Sequence, residues 1–304
     1  MSGMCDGRVC IVTGAGRGIG REYALMLADH GALVVVNDIG AARDGTGIDQ
    51  GPAQQVVYEI VSKGGHAVAN TDDVSDFESA RNLVRQAIDE FGRLDVVINN
   101  AGILRDRTLT NMTEAEWDAV IKVHLKGTFA PSHHAAVYWR DQFKSGKAVD
   151  ARIINTTSVS GIYGNIGQSN YGAAKQGIAG FTFIAALELK RYGVTANAIA
   201  PGALTRLTED LGPGDASDEE KAEMSPRWIA PLCTWLASPL SGDVTGRVFE
   251  ASGAGLVVAE GWHPGPRGAA VADARDVDGV VRKLLSNARP PAAMDGSDIE
   301  GWVN

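Results

Sequence analysis

Short runs rich in Val and Ile recur along roughly the first 250 residues, each followed by a longer stretch of helical periodicity. These runs are apolar at nearly every position, which suits strands buried on both faces of a sheet covered by helices. The spacing predicts strands at residues 8–13, 33–38, 66–70, 94–99, 151–157, 194–200 and 247–251. Helices are expected near 19–30, 54–63, 77–91, 114–138, 171–192 and 227–236. Strands alternating with helices in this way imply an α/β fold built on a doubly wound parallel sheet of seven strands. No internal repeat interrupts the rhythm.

Composition narrows the function classes. With 304 residues, 44% hydrophobic and 21% charged, the chain can bury a sizeable core, and it contains no apolar run long enough for a membrane span. Its 28 Lys+Arg against 37 Asp+Glu give a net charge of −9, without a basic cluster to hold a polyphosphate backbone. Neither nucleic acid nor a membrane is expected as a partner. Cys5, Cys10 and Cys233 are odd in number and form no CxxC pair, so a reducing compartment fits better than a disulfide framework. The histidines lack metal-ligand spacing, and no metal is expected. Neither end carries a targeting pattern, and the expected location is cytoplasmic.

Two stretches depart from the rhythm. Residues 40–51, GAARDGTGIDQG, read as a polar surface loop too long for an ordinary strand-to-helix turn. Residues 209–223 hold seven acids against one Lys and read as a solvated loop, or alternatively as a lid over a pocket. Beyond Gly253 the chain turns to Gly, Ala and Pro, with a helical pattern at 277–287. The expected organisation is a dinucleotide-binding catalytic domain at 1–252 and a C-terminal extension at 253–304 that packs on the body or reaches a partner subunit.

At the end of the first predicted strand stands TGAGRGIG, with Gly14, Gly18 and Gly20 spaced G-x-x-x-G-x-G and with Arg17 and Ile19 among them. Glycines let the backbone approach a pyrophosphate, and the following helix offers free N–H groups and the positive end of its dipole. About twenty residues on, Asp38 ends the second strand, where its carboxylate can accept hydrogen bonds from both hydroxyls of an adenosine ribose. The same carboxylate would repel a 2′-phosphate. Arg17 is the competing signal, but a carboxylate beside a phosphate costs more than an exposed Arg gains, so NAD is the expected cofactor.

The chemistry sits after the fifth strand. Tyr171 and Lys175 are spaced i, i+4 on one helix face. A neighbouring ammonium, together with an oxidised nicotinamide, would bring a phenol from its usual pKa near ~10 towards the working pH, making Tyr171 an acid and base for alcohol and ketone. Ser158, at the strand end upstream, could hydrogen-bond the substrate oxygen.

Taken together, the TGAGRGIG turn, Asn99-Asn100-Ala101-Gly102 after the fourth strand, Ser158, Tyr171-GAA-Lys175 and Pro201-Gly202 resemble the short-chain dehydrogenase/reductase family over roughly residues 6–252. The resemblance implies a Rossmann-type sheet, catalytic Ser158, Tyr171 and Lys175, and hydride transfer to or from a nicotinamide. It also implies that Asn100, Ala101 and Gly102 support sheet and cofactor. Asp73 and Val74 would lie near the adenine, and Pro201, Gly202 and Thr205 along the nicotinamide carboxamide.

Within that family VVVNDIG, NNAGILRDR, VHLKGTF and SGIYGNIGQSNY resemble the NAD-dependent (3R)-hydroxyacyl-CoA dehydrogenase part of multifunctional enzyme type 2. The implied function is oxidation of the C3 hydroxyl of a (3R)-hydroxyacyl-CoA by a stand-alone enzyme. A hydroxysteroid dehydrogenase, an acyl-carrier-protein reductase, and a cofactor-binding regulator without turnover remain the alternatives. The subgroup also implies a homodimer or homotetramer with the tail near a partner's substrate entrance. Most family members have Asn where this chain has His124, beside a water chain from the catalytic Lys; a lone helical His is more commonly structural, and it stays outside the catalytic set. Arg105, Arg107 and Arg206 follow strand ends and are candidates for the phosphates of CoA.

Overall fold

The computed structural model describes residues 3–47, 51–203, 217 and 222–299. Its sheet, among these residues, has eight strands: β1 (Val9–Thr13), β2 (Leu33–Asn37), β3 (His66–Asn70), β4 (Val96–Asn99), β5 (Ala151–Thr156), β6 (Val194–Gly202), β7 (Val248–Ser252) and β8 (Gly255–Ala259). They run in the order β3-β2-β1-β4-β5-β6-β7-β8. The first seven are parallel to their neighbours and correspond to the seven predicted strands. β8 is an addition from the extension; the two residues that separate it from β7 leave no room for a crossover helix, so it pairs antiparallel.

Alternation along the strands sorts the core into two layers. Cys10, Val12, Val34, Val36, Val96 and Ile98 pack on one face with α1 (Gly18–Asp29), α2 (Gly51–Ser62) and α8 (Ala230–Ala237). Val9, Ile11, Val35, Val97 and Ile153 pack on the other with α3 (Phe77–Phe91), α5 (Gly127–Lys144) and α7 (Ser169–Leu189). Strand order reverses between β1 and β4, which opens a crevice at the carboxyl ends of the strands.

The predicted helix at 114–138 is interrupted. It begins at α4 (Glu114–Ile121), where Thr113 and Glu116 form a capping box, widens into a π turn at Lys122–Lys126, and resumes as α5. The wide turn buries His124, a placement that a regular 3.6-residue period does not predict.

The insertion after β2 also differs from expectation. Its described part is polar yet docked: Leu104 donates from its backbone N–H to the Arg43 carbonyl at 3.0 Å, and Arg105 Nε donates to the Asp44 carbonyl at 2.8 Å. Hydrogen bonds to its main-chain carbonyls hold it against the loop after β4. The acidic 209–223 segment lies outside the described residues except for Ser217, Ala222 and Glu223. In the extension, a last helix, α9 (Val277–Leu285), buries none of its residues, and Val277, Val281 and Leu285 share one exposed stripe at i, i+4 and i+8.

Candidate active site

Three glycines shape the turn after β1. Gly14 and Gly18 have φ of 62° and 55°, values that favour glycine. A Cβ on Gly20 would lie 2.3 Å from the Gly14 carbonyl oxygen, and one on Gly14 would lie 2.8 Å from the Ala101 Cα. No side chain caps α1, and its first turn holds no acid, so its leading N–H groups are available to an anion. The crevice above encloses about 330 Å3. Gly14, Arg17, Gly18 and Ile19 line it from the turn, Asp38 from just past β2, Asp73 and Val74 from the loop after β3, and Asn100, Ala101 and Gly102 from just past β4. This cradle, whose glycines let the turn close onto the end of β4 where a Cβ would clash, fits the diphosphate and nucleosides of a nicotinamide dinucleotide.

Hydrogen bonds tie the turn to β4. Asn100 Nδ2 donates to the Thr13 and Gly14 carbonyls at 3.0 and 3.1 Å, and the Thr13 hydroxyl accepts the N–H groups of Asn100 and Ala101 at 2.9 and 3.1 Å. Asp38 is partly engaged within the protein: Oδ2 accepts from Gly16 N–H at 2.8 Å and Oδ1 from Gly40 N–H at 2.6 Å. Each oxygen keeps a second lone pair for a ribose hydroxyl. Asp73 Oδ1 accepts both the N–H and the hydroxyl of Ser75 at 2.8 and 2.6 Å, and Lys122 Nζ lies 3.9 Å from its other oxygen. Pro201 and Gly202 end β6 beside β7, paired with Ala251 and Ser252. Thr205 and Arg206 lie outside the described residues.

Ser158, Tyr171 and Lys175 come together next to the carboxyl end of β5. Ser158 leads into the short helix α6 (Val159–Ile162), where its Oγ accepts from Ser160 N–H at 3.2 Å, and its hydroxyl lies near enough to the Tyr171 phenol to influence its protonation. Lys175 is buried on α7, its Nζ donating to the Thr156 carbonyl at 2.6 Å and standing 5.5 Å from the Tyr171 ring centroid. Gly161 permits the close approach of α6, because a Cβ there would lie 2.7 Å from the Lys175 Cβ.

The protein by itself does not lower the phenol as the sequence suggests. Burial pushes Tyr171 up to about 12, against the opposing effect of the Ser158 hydroxyl, and burial pulls Lys175 down to about 7. Removing either charge from water favours the neutral form, and the Thr156 carbonyl offers the ammonium a dipole rather than a counter-charge.

His124, at the floor of this cluster, is 2% exposed. Its Nε2 lies 2.8 Å from the Ile103 carbonyl oxygen and 3.1 Å from the Ile103 backbone nitrogen, while its ring meets Tyr171 edge-on with centroids 5.1 Å apart. Burial first, and the Lys175 charge second, push the imidazole down to about 3, so it is neutral at ordinary pH. Gly102 is required here: a Cβ would fall 2.3 Å from His124 Cε1.

Of the arginines expected at the rim, Arg105 lines the crevice and Arg107 pairs with Glu116 at 3.3 Å. Sequence reasoning missed Gly16, Thr13, Ile103 and Lys122. Gly16 stood inside the glycine motif and could have been found there, since a Cβ on it would lie 2.8 Å from Asp38 Oδ2; the other three depend on tertiary neighbours. Among the described residues no cluster of potential metal ligands occurs, no helix is long and apolar enough to cross a membrane, and all three cysteines are buried free thiols.

Comparison with known proteins agrees with this geometry. The short chain dehydrogenase family profile matches residues 8–214. The chain is 41% identical to hydroxyacyl-CoA dehydrogenase ChsB1 of Mycobacterium tuberculosis, covering 97% of this chain and 93% of that one. It is 43% identical to mouse peroxisomal multifunctional enzyme type 2 over 95% of its own length, but spans only 36% of that longer protein. A crystal structure of a short chain dehydrogenase from Mycobacterium avium superposes with a TM-score of 0.86 at 52% identity, covering 95% of this chain and 98% of that one. With a parallel sheet reversing beside a glycine-lined dinucleotide crevice and this breadth of similarity, the chain is an oxidoreductase that belongs to the short-chain dehydrogenase/reductase family and takes a nicotinamide cofactor and a small-molecule substrate.

Proposed function

We propose that the protein oxidises the C3 hydroxyl of a (3R)-hydroxyacyl-CoA with NAD+, and reduces the corresponding ketone in reverse. The observation carrying this reading is the grouping of Ser158, Tyr171 and Lys175 beside a crevice whose second-strand end bears Asp38. Similarity to proteins named hydroxyacyl-CoA dehydrogenase and multifunctional enzyme type 2 supports the substrate class. Asp38, with lone pairs left for ribose hydroxyls and a charge opposed to a 2′-phosphate, supports NAD over NADP.

In this reading Ser158 Oγ holds the substrate oxygen, and Tyr171 Oη takes the hydroxyl proton as the C3–H bond gives up its electron pair and C3=O forms. The bound nicotinamide supplies the acceptor for that hydride. Lys175, through its charge close to the ring, favours the phenolate once a second positive charge adjoins it. The N–H groups at the start of α1 and the Gly14–Gly20 cradle hold the diphosphate, and Asn100 braces the cradle from β4.

We further assign residues 1–252 to the catalytic unit and 253–304 to an extension that packs on the body or a partner in a homodimer or homotetramer. The exposed apolar stripe of α9 supports a covering partner. The test is NADH formation from the (3R) and (3S) isomers of a hydroxyacyl-CoA and from a steroid alcohol. The reading expects the highest kcat/KM for the (3R) thioester; preference for the steroid or the (3S) isomer would remove the substrate assignment.

A further inference from the structure

The described part of the insertion after β2 forms a closed turn of its own. Ala42 N–H donates to the Thr46 carbonyl at 2.7 Å, and Gly45 N–H to the Ala42 carbonyl at 3.0 Å. The Asp44 carboxylate accepts the N–H and the hydroxyl of Thr46 at 3.0 and 2.7 Å. The segment leaves the carboxyl end of β2 and is fastened to the loop after β4, and β1 lies between those two strands in the sheet. It therefore passes over the carboxyl end of β1, where the glycine turn stands. Towards the crevice it presents Ile39, Ala41, Ala42 and Gly45, whose side chains have neither charge nor hydrogen-bonding group. Such a segment encloses a ligand more than it grips one.

Two hydrogen bonds fasten its far side. Leu104 N–H donates to the Arg43 carbonyl at 3.0 Å, and Arg105 Nε to the Asp44 carbonyl at 2.8 Å. Gly45 comes against Ile103 there, since a Cβ on it would lie 3.1 Å from Ile103 Cδ1. The main chain of Arg105 is held separately: its carbonyl accepts from Nδ2 of the wholly buried Asn170 at 2.9 Å. The side-chain bond can thus be removed with the loop left in place.

We propose that residues 39–46 are a strap that lifts for the dinucleotide to enter or leave, and that Arg105 is the positioning residue that latches it. Arg105 acts through Nε on a protein carbonyl, not through its charge on a phosphate of the cofactor or of CoA. Both fastening bonds join protein to protein, so they hold the strap whether or not the crevice is filled. Weakening them lowers the barrier to exchange in both directions. The proposal rests on the crevice as the dinucleotide site, but on neither the acyl-CoA substrate nor the choice of NAD.

Side-chain geometry separates the donor from the charge. Arg105→Met keeps the length of the stem without a donor, whereas Arg105→Gln places an amide nitrogen at the position of Arg Nε without the charge. The experiment uses whichever of NADH and NADPH the wild type binds, following its fluorescence. Stopped-flow displacement by excess oxidised cofactor gives the dissociation rate, and titration gives the Kd. Met is expected to raise the association and dissociation rates alike by about five- to tenfold, the effect of one hydrogen bond, with the Kd within about threefold of wild type. Gln, a neutral donor, is expected to keep both rates within about twofold of wild type.

The proposal is overturned if dissociation rate and Kd rise together in Met, which marks a direct contact with the cofactor. It is equally overturned if Gln behaves as Met, which marks the charge as the acting group, or if Met leaves the rates unchanged. Asp44→Ala provides an independent check, because it opens the turn without altering a residue that lines the crevice. It is expected to raise the dissociation rate by at least about threefold through loss of its two hydrogen bonds, and an unchanged rate would exclude the strap. Failure of the acyl-CoA reading shows instead as no turnover of the thioester with these binding kinetics intact.

Discussion

The Lys175 ammonium stands 5.5 Å from the centroid of the Tyr171 ring and spends one of its donors on the Thr156 carbonyl at 2.6 Å. It therefore faces the phenol ring without a hydrogen bond to it, and two of its three N–H donors are not used on that carbonyl. Burial sets the starting point of both groups, the phenol high and the ammonium low.

Removing the phenol oxygen should separate chemistry from binding. Tyr171→Phe leaves the Gly14–Gly20 turn intact, so NAD+ affinity should be unchanged while kcat falls by at least ~10², as for loss of a general acid and base. Steady-state kinetics combined with a binding titration checks both halves.

Cofactor choice tests Asp38. NAD should be preferred to NADP in kcat/KM, each tenfold amounting to about 1.4 kcal/mol. Asp38→Asn should narrow that preference, because it removes the charge opposed to the 2′-phosphate. Asp38→Ala should in addition weaken NAD binding, since the Gly16 and Gly40 N–H groups both lose their acceptor. An unaltered NAD/NADP ratio in Asp38→Asn would refute the role.

The lysine leaves a signature in stability against pH. Its folded pKa of about 7 lies below the 10.5 of a free lysine, so between these values the unfolded chain binds more protons. Its contribution to stability therefore rises with pH across that window, and its burial cost is greatest below about pH 7. Lys175→Met should be more stable than wild type at pH 7, by about 1–3 kcal/mol, with the margin shrinking towards pH 10. Urea melts at pH 7, 8.5 and 10 would reveal it, and a constant margin would contradict it. The window stops there because Tyr171, raised from 10 to about 12, acts in the opposite sense above pH 10.

Deleting the tail beyond Glu260 keeps β8 in the sheet and removes α9. The apolar stripe of Val277, Val281 and Leu285 is lost with it, and the expected outcome is a smaller assembly by light scattering together with a changed KM for the alcohol. Wild-type size and KM in the truncated protein would exclude the extension from both.

The parts of this protein legible in the sequence are those whose signals are local. Continuous apolar runs announce strands buried on both faces, and Val9–Thr13 through Val248–Ser252 lie close to where those runs place them. The glycine spacing from Gly14 to Gly20 requires a close approach of backbone, and Tyr171 and Lys175 share a helix face because four residues are little more than one turn. Tertiary structure alone decided what depends on neighbours distant in the chain. β8 is a strand because β7 offers an edge to pair with, not because GLVVA announces one within a Gly-rich tail. The insertion docks through main-chain carbonyls, which its polar side chains do not reveal. His124 reaches Ile103 through a π turn that shifts the helical period, and the Lys175 ammonium finds a carbonyl from β5 nineteen residues away. Periodicity and backbone conformation are properties of neighbouring residues and can be read along the chain; burial, and with it the protonation of Lys175, Tyr171 and His124, exists only once the layers have closed over them.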